Sequence, residues 1–339
     1  MRAVMVRDWT EVENLKLEDH VPAPQVGPNQ VKIAIKAAGI SFAATLFVSG
    51  RYQRKPPLPF SPGTEAAGIV TEIGEGVTRF KPGDRVAATL DWGGMAEEVV
   101  IYDATVYSIP DAMPFDRAIG LTNAYSTSLA ALTWPHLLNV KSGESLLVHG
   151  AAGGVGLAAV ELGKILGATV IATVGSEEKR RAVIEHGADH AINYREQDFR
   201  EPVLDLTNGL GANAILDPVG GDVFTQSLRC IAPEGRISPI GFAGGIIPQI
   251  PANILLVKNI TTCGLNLGYY FGWSPNDVRY EYVDRLAPMM QQLCQWFEEG
   301  KISLRTSHTF PLEQFQDAMR MVLQRRSIGR VALVMDESD

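Results

Sequence analysis

Residues 149–160 read HGAAGGVGLAAV. A run this rich in glycine is either a turn with no ligand or a loop that wraps a phosphate, and its flanks decide between them. SLLVH (145–149) before it has the apolar character of a short strand. VGLAAVELGKILGA (155–168) after it reads as a helix, with an apolar stripe at Val155, Ala158, Leu162 and Ile165. A strand that turns through glycine into a helix N-terminus offers an anion free backbone N–H groups and the positive end of the helix dipole. The G-x-G-x-x-G dinucleotide fingerprint falls here on Ala151, Gly153 and Gly156, with Gly154 added, so it is degenerate at its first glycine. Ala152, Gly153, Gly154 and Val155 are the candidate pyrophosphate contacts, and Gly156 lets the helix sit close to the strand.

The end of the next strand selects the dinucleotide. An Asp or Glu about 20 residues after the loop would bind a ribose 2′-hydroxyl. Here the strand ends ATVGSEEKRR, so Gly175 and Ser176 hold that position and Lys179 and Arg180 follow a turn later. A missing acid removes repulsion against a 2′-phosphate, and a nearby cation attracts it. The pattern favours NADPH, with Glu177 and Glu178 as the complication.

Outward from the loop, strands and helices alternate. Strands are expected at 145–150, 169–175, 190–194, 213–220, 235–241 and 259–265, with helices at 154–166 and 177–186 stopped by Gly167 and Gly187. Such alternation means βαβ units and an α/β fold with a parallel sheet. The first third differs. QVKIAIKAAGI (30–40), EAAGIVTEIGEGV (65–77), DRVAAT (84–89) and EEVVIYDATVYSIP (97–110) are short β-rich runs separated by SPGTE and FKPGDRV, as in a small barrel or sandwich. PFDRAIGLTNAYSTSLAALTW (114–134) reads as one long helix. PNDVRYEYVDRLAPMMQQLCQWFEEGKI (275–302) reads as one amphipathic helix, followed by a strand and helix within 305–326 and a last strand over 329–336. This tail is too short for a third core, so it is expected to pack back on the first domain.

Composition narrows the function. The 339 residues carry a net charge of −8, which disfavours a nucleic-acid partner because a phosphate backbone needs a basic face. Gly is in excess, 33 residues against a usual share of about 7%, consistent with tight turns and close backbone approaches. Cys230, Cys263 and Cys294 are far apart and form no CxxC, so neither a disulfide framework nor a structural zinc lobe is indicated. The N-terminal stretch has no signal-peptide core and no segment approaches about 18 apolar residues, so the expectation is a cytoplasmic protein with no membrane partner.

The ordered set of motifs resembles a known family, the zinc-independent medium-chain dehydrogenase/reductases, and within them the quinone oxidoreductase group. The stretches are PGTEAAGIVTEIGEGVTRFKPGDRV (62–86), HGAAGGVGLAAVELGKILGA (149–168), HGADHAINYREQDF (186–199), DPVGGDVFTQSLRCIAPEGRI (217–237) and IPANILLVKNI (250–260). The resemblance implies a GroES-like β-rich catalytic domain over 1–122 and a Rossmann domain over 123–265 with a doubly wound, six-stranded parallel sheet. It implies that 266–339 packs back on the catalytic domain, that NADPH and substrate share a cleft between the domains, and that homodimers form by pairing Rossmann sheet edges. The zinc branch carries Cys near 41 and Gly-His-Glu near 63–65. This chain has Ser41 and GTE with Thr64, and no metal ligand set is expected.

By the same resemblance, Gly175, Lys179 and Tyr194 surround the adenosine phosphate, with Ser176 beside them. The VGG stretch from Val219 and GFA (Gly241, Phe242, Ala243) follow the nicotinamide half through their backbones. Many relatives read Asn-Phe/Tyr-x-Asp at 41–44, where this chain reads SFAA, so Ser41 and Ala44 depart from the pattern. Tyr52 matches a tyrosine near the substrate, and Thr127 is a further candidate for contact with the nicotinamide end. The reaction implied is NADPH-dependent reduction of a quinone or other α,β-unsaturated carbonyl, with charge on the carbonyl oxygen met by Tyr52 or a backbone N–H and the proton taken from water. The alternative is an NADPH-binding sensor or structural protein with little turnover, motivated by Ser41 and Ala44.

Overall fold

The alternation in QVKIAIKAAGI builds the longest of the described strands. The computed structural model describes residues 1–335; Asp336, at the end of the strand expected over 329–336, lies outside the described residues. The chain divides into two units, one holding Met1–Asn123 and the segment from Gly268 onward, the other Ala124–Leu267.

The first unit opens with β1 (Ala3–Met5), which pairs antiparallel with β2 (Lys16–Glu18). In β3 (Gln30–Ile40) burial alternates through Ile35 and then becomes continuous from Ala37 to Ile40. Helix α1 (Phe42–Val48) follows, then β4 (Glu65–Ile73), β5 (Arg85–Thr89), β6 (Glu98–Tyr102) and β7 (Val106–Ser108). The long helix expected over 114–134 is broken into α2 (Phe115–Ala118), a π-helical turn over Leu121–Tyr125, and α3 (Ser126–Thr133). The cause is local. Thr122 gives its carbonyl to the Thr89 hydroxyl at 3.0 Å and its hydroxyl to the Ala88 carbonyl at 3.4 Å, which ties the turn to β5.

The second unit contains α3 and then β8 (Ser145–Val148), α4 (Gly154–Ile165), β9 (Thr169–Val174), α5 (Glu177–Glu185), β10 (His190–Asn193) and α6 (Arg200–Leu206). It continues through β11 (Ala212–Asp217), α7 (Gly221–Ser227), β12 (Ile231–Pro239), α8 (Ala252–Lys258) and β13 (Thr261–Thr262). The six strands lie in the order β10-β9-β8-β11-β12-β13, all parallel, which is the doubly wound Rossmann sheet. Two details depart from the sequence reading. β13 keeps two residues of the 259–265 expected, because only Arg236 and Ile237 of β12 pair with it. Helix α4 is also not a one-sided stripe: every residue from Gly156 to Gly163 is buried, while Val155 and Ile165 are half-buried.

The chain then returns to the first unit. A 3₁₀ turn over Arg279–Tyr282 precedes α9 (Val283–Glu298), so the single helix expected from 275 starts eight residues later. β14 (Thr306–Pro311), α10 (Phe315–Leu323) and β15 (Arg330–Val334) complete the unit. β15 runs antiparallel to β3 in the register Val331↔Ile40, Ala332↔Gly39, and the sheet order is β14-β15-β3-β4-β5-β7, with β6 also on β3. One hydrophobic core is centred on Ile33, Val86, Met95 and Leu333, the other on Leu147, Ile215 and Phe224.

Beneath β3, Arg330 of β15 pairs with the fully buried Glu65 of β4, and the Asn123 side chain donates to the same carboxylate at 2.7 Å. Removing one partner leaves the other charge buried. Arg330→Leu is expected to cost about 3–5 kcal/mol in urea denaturation, while Arg330→Leu combined with Glu65→Met recovers most of the loss. Equal stability of the single and double variants would contradict this.

Candidate functional site

The glycine run folds as its flanks require. β8 ends at Val148, the chain turns through Gly150–Ala152, and α4 starts with Gly153 as its N-cap. The turn is anchored from both sides of the sheet: the His149 N–H donates to the Leu216 carbonyl at 3.0 Å, and the Ala151 N–H to Thr173 at 3.1 Å. At Gly156 a β-carbon would stand 2.4 Å from the Gly150 carbonyl oxygen and 2.7 Å from the Ala151 α-carbon. Only glycine allows that approach, and it aims the helix N-terminus across the loop. Ala151 and Ala152 are buried, whereas Gly153, Gly154 and Val155 are half-buried, so the open part of the loop is the first helical turn. The Ser128 hydroxyl of α3 donates to the Val155 carbonyl at 2.8 Å and supports that turn.

His149 was not singled out from sequence, although a polar residue in an apolar strand was the available signal. Its ring lies between the Thr173 hydroxyl at 2.9 Å and the Ser227 hydroxyl at 2.8 Å, bridging β9 and α7 under the loop. Burial without a countercharge depresses its pKa to about 3, so the imidazole is neutral.

At the end of β9, Ser176 caps α5 by accepting from the Lys179 N–H at 3.3 Å. Glu177 is turned onto Arg180, with contacts of 2.6 and 2.8 Å, which lowers the pKa of the carboxylate and raises that of the guanidinium. One of the two acids that complicate the sequence reading, Glu177, is therefore paired within its own helix. A β-carbon on Gly175 would meet the Tyr194 hydroxyl at 2.6 Å and would lie 3.5 Å from Arg195 Nε. Gly175, Tyr194 and Arg195 thus meet at one point on the rim. Arg195 was not anticipated; its signal was the position directly after Tyr194 at the end of β10.

The two stretches assigned to the nicotinamide half are joined. The Ala243 N–H donates to Pro218 at 3.0 Å and the Gly244 N–H to Val219 at 2.8 Å. The fully buried Asp217 accepts from the Val219 and Gly220 N–H groups at 2.8 and 3.0 Å, fixing the turn, and burial raises its pKa. Val219, Gly241, Phe242 and Ala243 thereby form one continuous backbone surface. Thr127 is half-buried in α3 of the same unit.

In the first unit, Ser41 is the N-cap of α1, its hydroxyl accepting from the Ala44 N–H at 3.2 Å. Ala44 is buried in the core, where an aspartate would have to be desolvated. Tyr52 follows the other end of α1, where its N–H donates to the Leu46 carbonyl at 3.2 Å. Its ring stacks on Phe47 at 4.3 Å, and burial raises its pKa, which keeps the phenol protonated as a donor. Thr64 is buried, and Glu65 is committed to Arg330 and Asn123. Among the described residues no group of three His, Cys, Asp or Glu side chains is placed to hold a metal. The Cys230 and Cys294 thiols are pushed up by burial, to about 12 and about 11. No helix of the described residues is long and apolar enough to cross a membrane.

Comparison with known proteins agrees with this architecture. Residues 27–111 match the alcohol dehydrogenase GroES-like domain, and residues 154–287 match the family described as zinc-binding dehydrogenase. A quinone oxidoreductase-like protein 2 homolog from Nematostella vectensis is 42% identical over 98% of this chain and 88% of its own. The solved structure of a Pseudomonas syringae quinone oxidoreductase superposes with a TM-score of 0.88 at 31% identity, covering 98% and 99% of the two chains. An Escherichia coli quinone oxidoreductase, solved in complex with NADPH, gives 0.88 at 29% identity over 98% and 100%. The chain belongs to the medium-chain dehydrogenase/reductase superfamily and, within it, to the quinone oxidoreductase family.

The His149 bridge carries a pH signature. The folded imidazole stays neutral down to about 3, while the unfolded one takes a proton near its ordinary 6.5. Between those values the unfolded state binds the extra proton, so stability falls as pH drops. From pH 7 to pH 5 the protein is expected to lose about 2 kcal/mol more than His149→Gln. Parallel denaturation curves at the two pH values would rule out the neutral bridge.

Proposed function

We propose that the protein is an NADPH-dependent oxidoreductase that reduces a quinone or another α,β-unsaturated carbonyl without zinc. The observation that carries this reading is the acid-free end of β9, where Gly175, Tyr194 and Arg195 meet beside the N-terminus of α5. Ala152, Gly153, Gly154 and Val155 would hold the pyrophosphate with the start of α4. Lys179, Tyr194, Ser176 and Arg195 would hold the 2′-phosphate, and the joined backbones of Val219 and Gly241–Ala243 would hold the nicotinamide half. NADPH, when bound, supplies the hydride. Tyr52, a protonated phenol, donates to the carbonyl oxygen as charge develops on it. Ser41 and Thr64 lack the ligand character that a catalytic zinc requires, which supports activated acceptors over simple ketones. The same family in which NADPH complexes are known supports the choice of cofactor.

We also infer a homodimer. In α8 no residue is buried, Leu256 and Val257 are 78% and 76% exposed, and β13 is the outermost strand of the Rossmann sheet. An open strand edge beside apolar side chains suits a second copy of the same edge. Leu256→Glu with Val257→Glu is expected to halve the mass seen by light scattering; a wild-type monomer would refute the dimer.

The function is tested by mixing the protein with NADPH or NADH and a panel of quinones, enones and simple ketones. NADPH oxidation is expected with the first two classes only. Lys179→Ala should lower kcat/KM for NADPH about 10- to 100-fold, the worth of a charge-assisted hydrogen bond. Equal use of NADH would overturn the cofactor assignment. Absence of turnover with tight NADPH binding would leave a cofactor-binding protein instead.

A further inference from the structure

Within the first unit, one carboxylate joins three loops that are remote in sequence. Asp91 follows β5 and is mostly buried. It accepts from Arg54 Nη1 at 2.9 Å and from Arg279 Nη2 at 3.1 and 3.3 Å. The Arg279 side chain is only 3% exposed and is also held by Asp277 at 2.8 Å. Gly272, at a φ of +91°, packs its backbone directly on this pair: a β-carbon there would lie 2.5 Å from Asp277 Oδ1 and 2.7 Å from Arg279 Nε. The next residue is Trp273. Each loop therefore leaves the Asp91 cluster with an aromatic side chain: Tyr52 beside Arg54, Trp92 beside Asp91, and Trp273 beside Gly272.

Those aromatic groups converge. The Arg54 guanidinium carbon lies 5.4 Å from the Trp92 ring centroid and 5.8 Å from that of Trp273. Trp273 meets the edge of Phe47 at 6.2 Å, and Phe47 stacks on Tyr52 at 4.3 Å. A guanidinium between two indoles is a favourable arrangement, but it fixes the rings only while the guanidinium is itself fixed. The cluster balances two arginines against two aspartates, so removing Asp91 leaves Arg54 without its carboxylate and Arg279 with Asp277 alone.

We propose that Asp91 is a positioning residue that, through Arg54 and Arg279, sets Trp92 and Trp273 beside Tyr52 as rigid aromatic walls for a flat, ring-bearing acceptor. The inference rests on the oxidoreductase reading above and names the kind of substrate the Tyr52 region prefers. Flat conjugated rings gain from offset and edge contacts with aromatic walls, whereas a small open-chain enone presents too little surface to use them. Asp91→Asn keeps the shape and one acceptor but loses the charge that holds both arginines.

The test compares wild type, Asp91→Asn and Asp91→Glu with 1,4-naphthoquinone and with but-3-en-2-one. For Asp91→Asn, KM for the naphthoquinone is expected to rise about tenfold, the worth of a hydrogen bond to a charged group, with kcat little changed. KM for the butenone and the dissociation constant of NADPH stay within about twofold, as expected for sites that are not coupled. Asp91→Glu recovers part of the loss. Hydrogen–deuterium exchange over residues 268–279 accelerates in Asp91→Asn, and this readout needs no turnover. A wild type inactive with every acceptor would remove the oxidoreductase reading, while the exchange result would still decide whether Asp91 holds the loop. Unchanged exchange, or an equal loss for both acceptors, overturns the proposal.

Discussion

The ion pair between Glu65 and Arg330 is the constraint on which the first unit depends. The chain leaves this unit after Asn123 and re-enters it at Gly268, so its sheet is assembled from segments separated by a whole second unit. Hydrophobic burial alone would let β15 slide along β3, because Val331, Ala332 and Leu333 are all buried and chemically similar. A one-residue slip in an antiparallel pair sends every side chain to the opposite face. The buried carboxylate has one place where a guanidinium can reach it, beneath Gly39, and Asn123 closes the remaining side. Such a pair adds little net stability once desolvation is counted, but breaking it by removing one partner leaves an uncompensated buried charge. It also commits Glu65, the third residue of the GTE stretch, to structure.

The second unit solves a different problem, which is to fix the backbone of its loops with small residues and buried polar side chains. Gly156 closes the distance between loop and helix. His149 fills the polar gap under the loop with a neutral ring that bonds to two hydroxyls. Asp217 gathers two amide N–H groups and so shapes the turn that Ala243 and Gly244 then join. Gly156 acts through the lack of a side chain, His149 through bonds to two side-chain hydroxyls, and Asp217 through bonds to main-chain N–H groups.

The sequence carried most of this where the determinants are local. The helix at 154–166 was legible because a strand, a glycine turn and a terminal glycine bracket it, and the acid-free end of β9 could be read directly. The helix over 114–134 was misjudged because nothing in its own residues announces the two bonds that Thr122 makes with β5. Helix α4 looked one-sided because Ala and Gly score weakly as apolar, yet those small residues let it be covered on every side. Asp91 and Arg279 were invisible as a pair, since 188 residues separate them and each alone resembles a solvated charge. Nothing in the sequence around Tyr52, Trp92 or Trp273 announces the carboxylate that joins their loops.

These arrangements have a common electrostatic consequence. The ionisable groups nearest the cofactor loop are held in their neutral forms or pushed toward them: the imidazole of His149 is depressed by burial, and the carboxyl of Asp217 is raised by it. The Tyr52 phenol is likewise kept protonated. Formal charge stands at Lys179 and Arg195 on the rim of the second unit, and in the first unit at the Glu65–Arg330 pair and the Asp91 cluster, where it is internally balanced. Under the proposed function, the charge at Lys179 and Arg195 would discriminate among dinucleotides, and the aromatic side chains around the Asp91 cluster would discriminate among acceptors by shape. The Tyr52 phenol would then offer a reacting carbonyl a neutral donor, because burial raises a pKa that already lies above the ordinary physiological range. That suits a reaction in which the transferred species is a hydride, because a fixed neutral donor can meet the developing oxyanion without first competing for a proton.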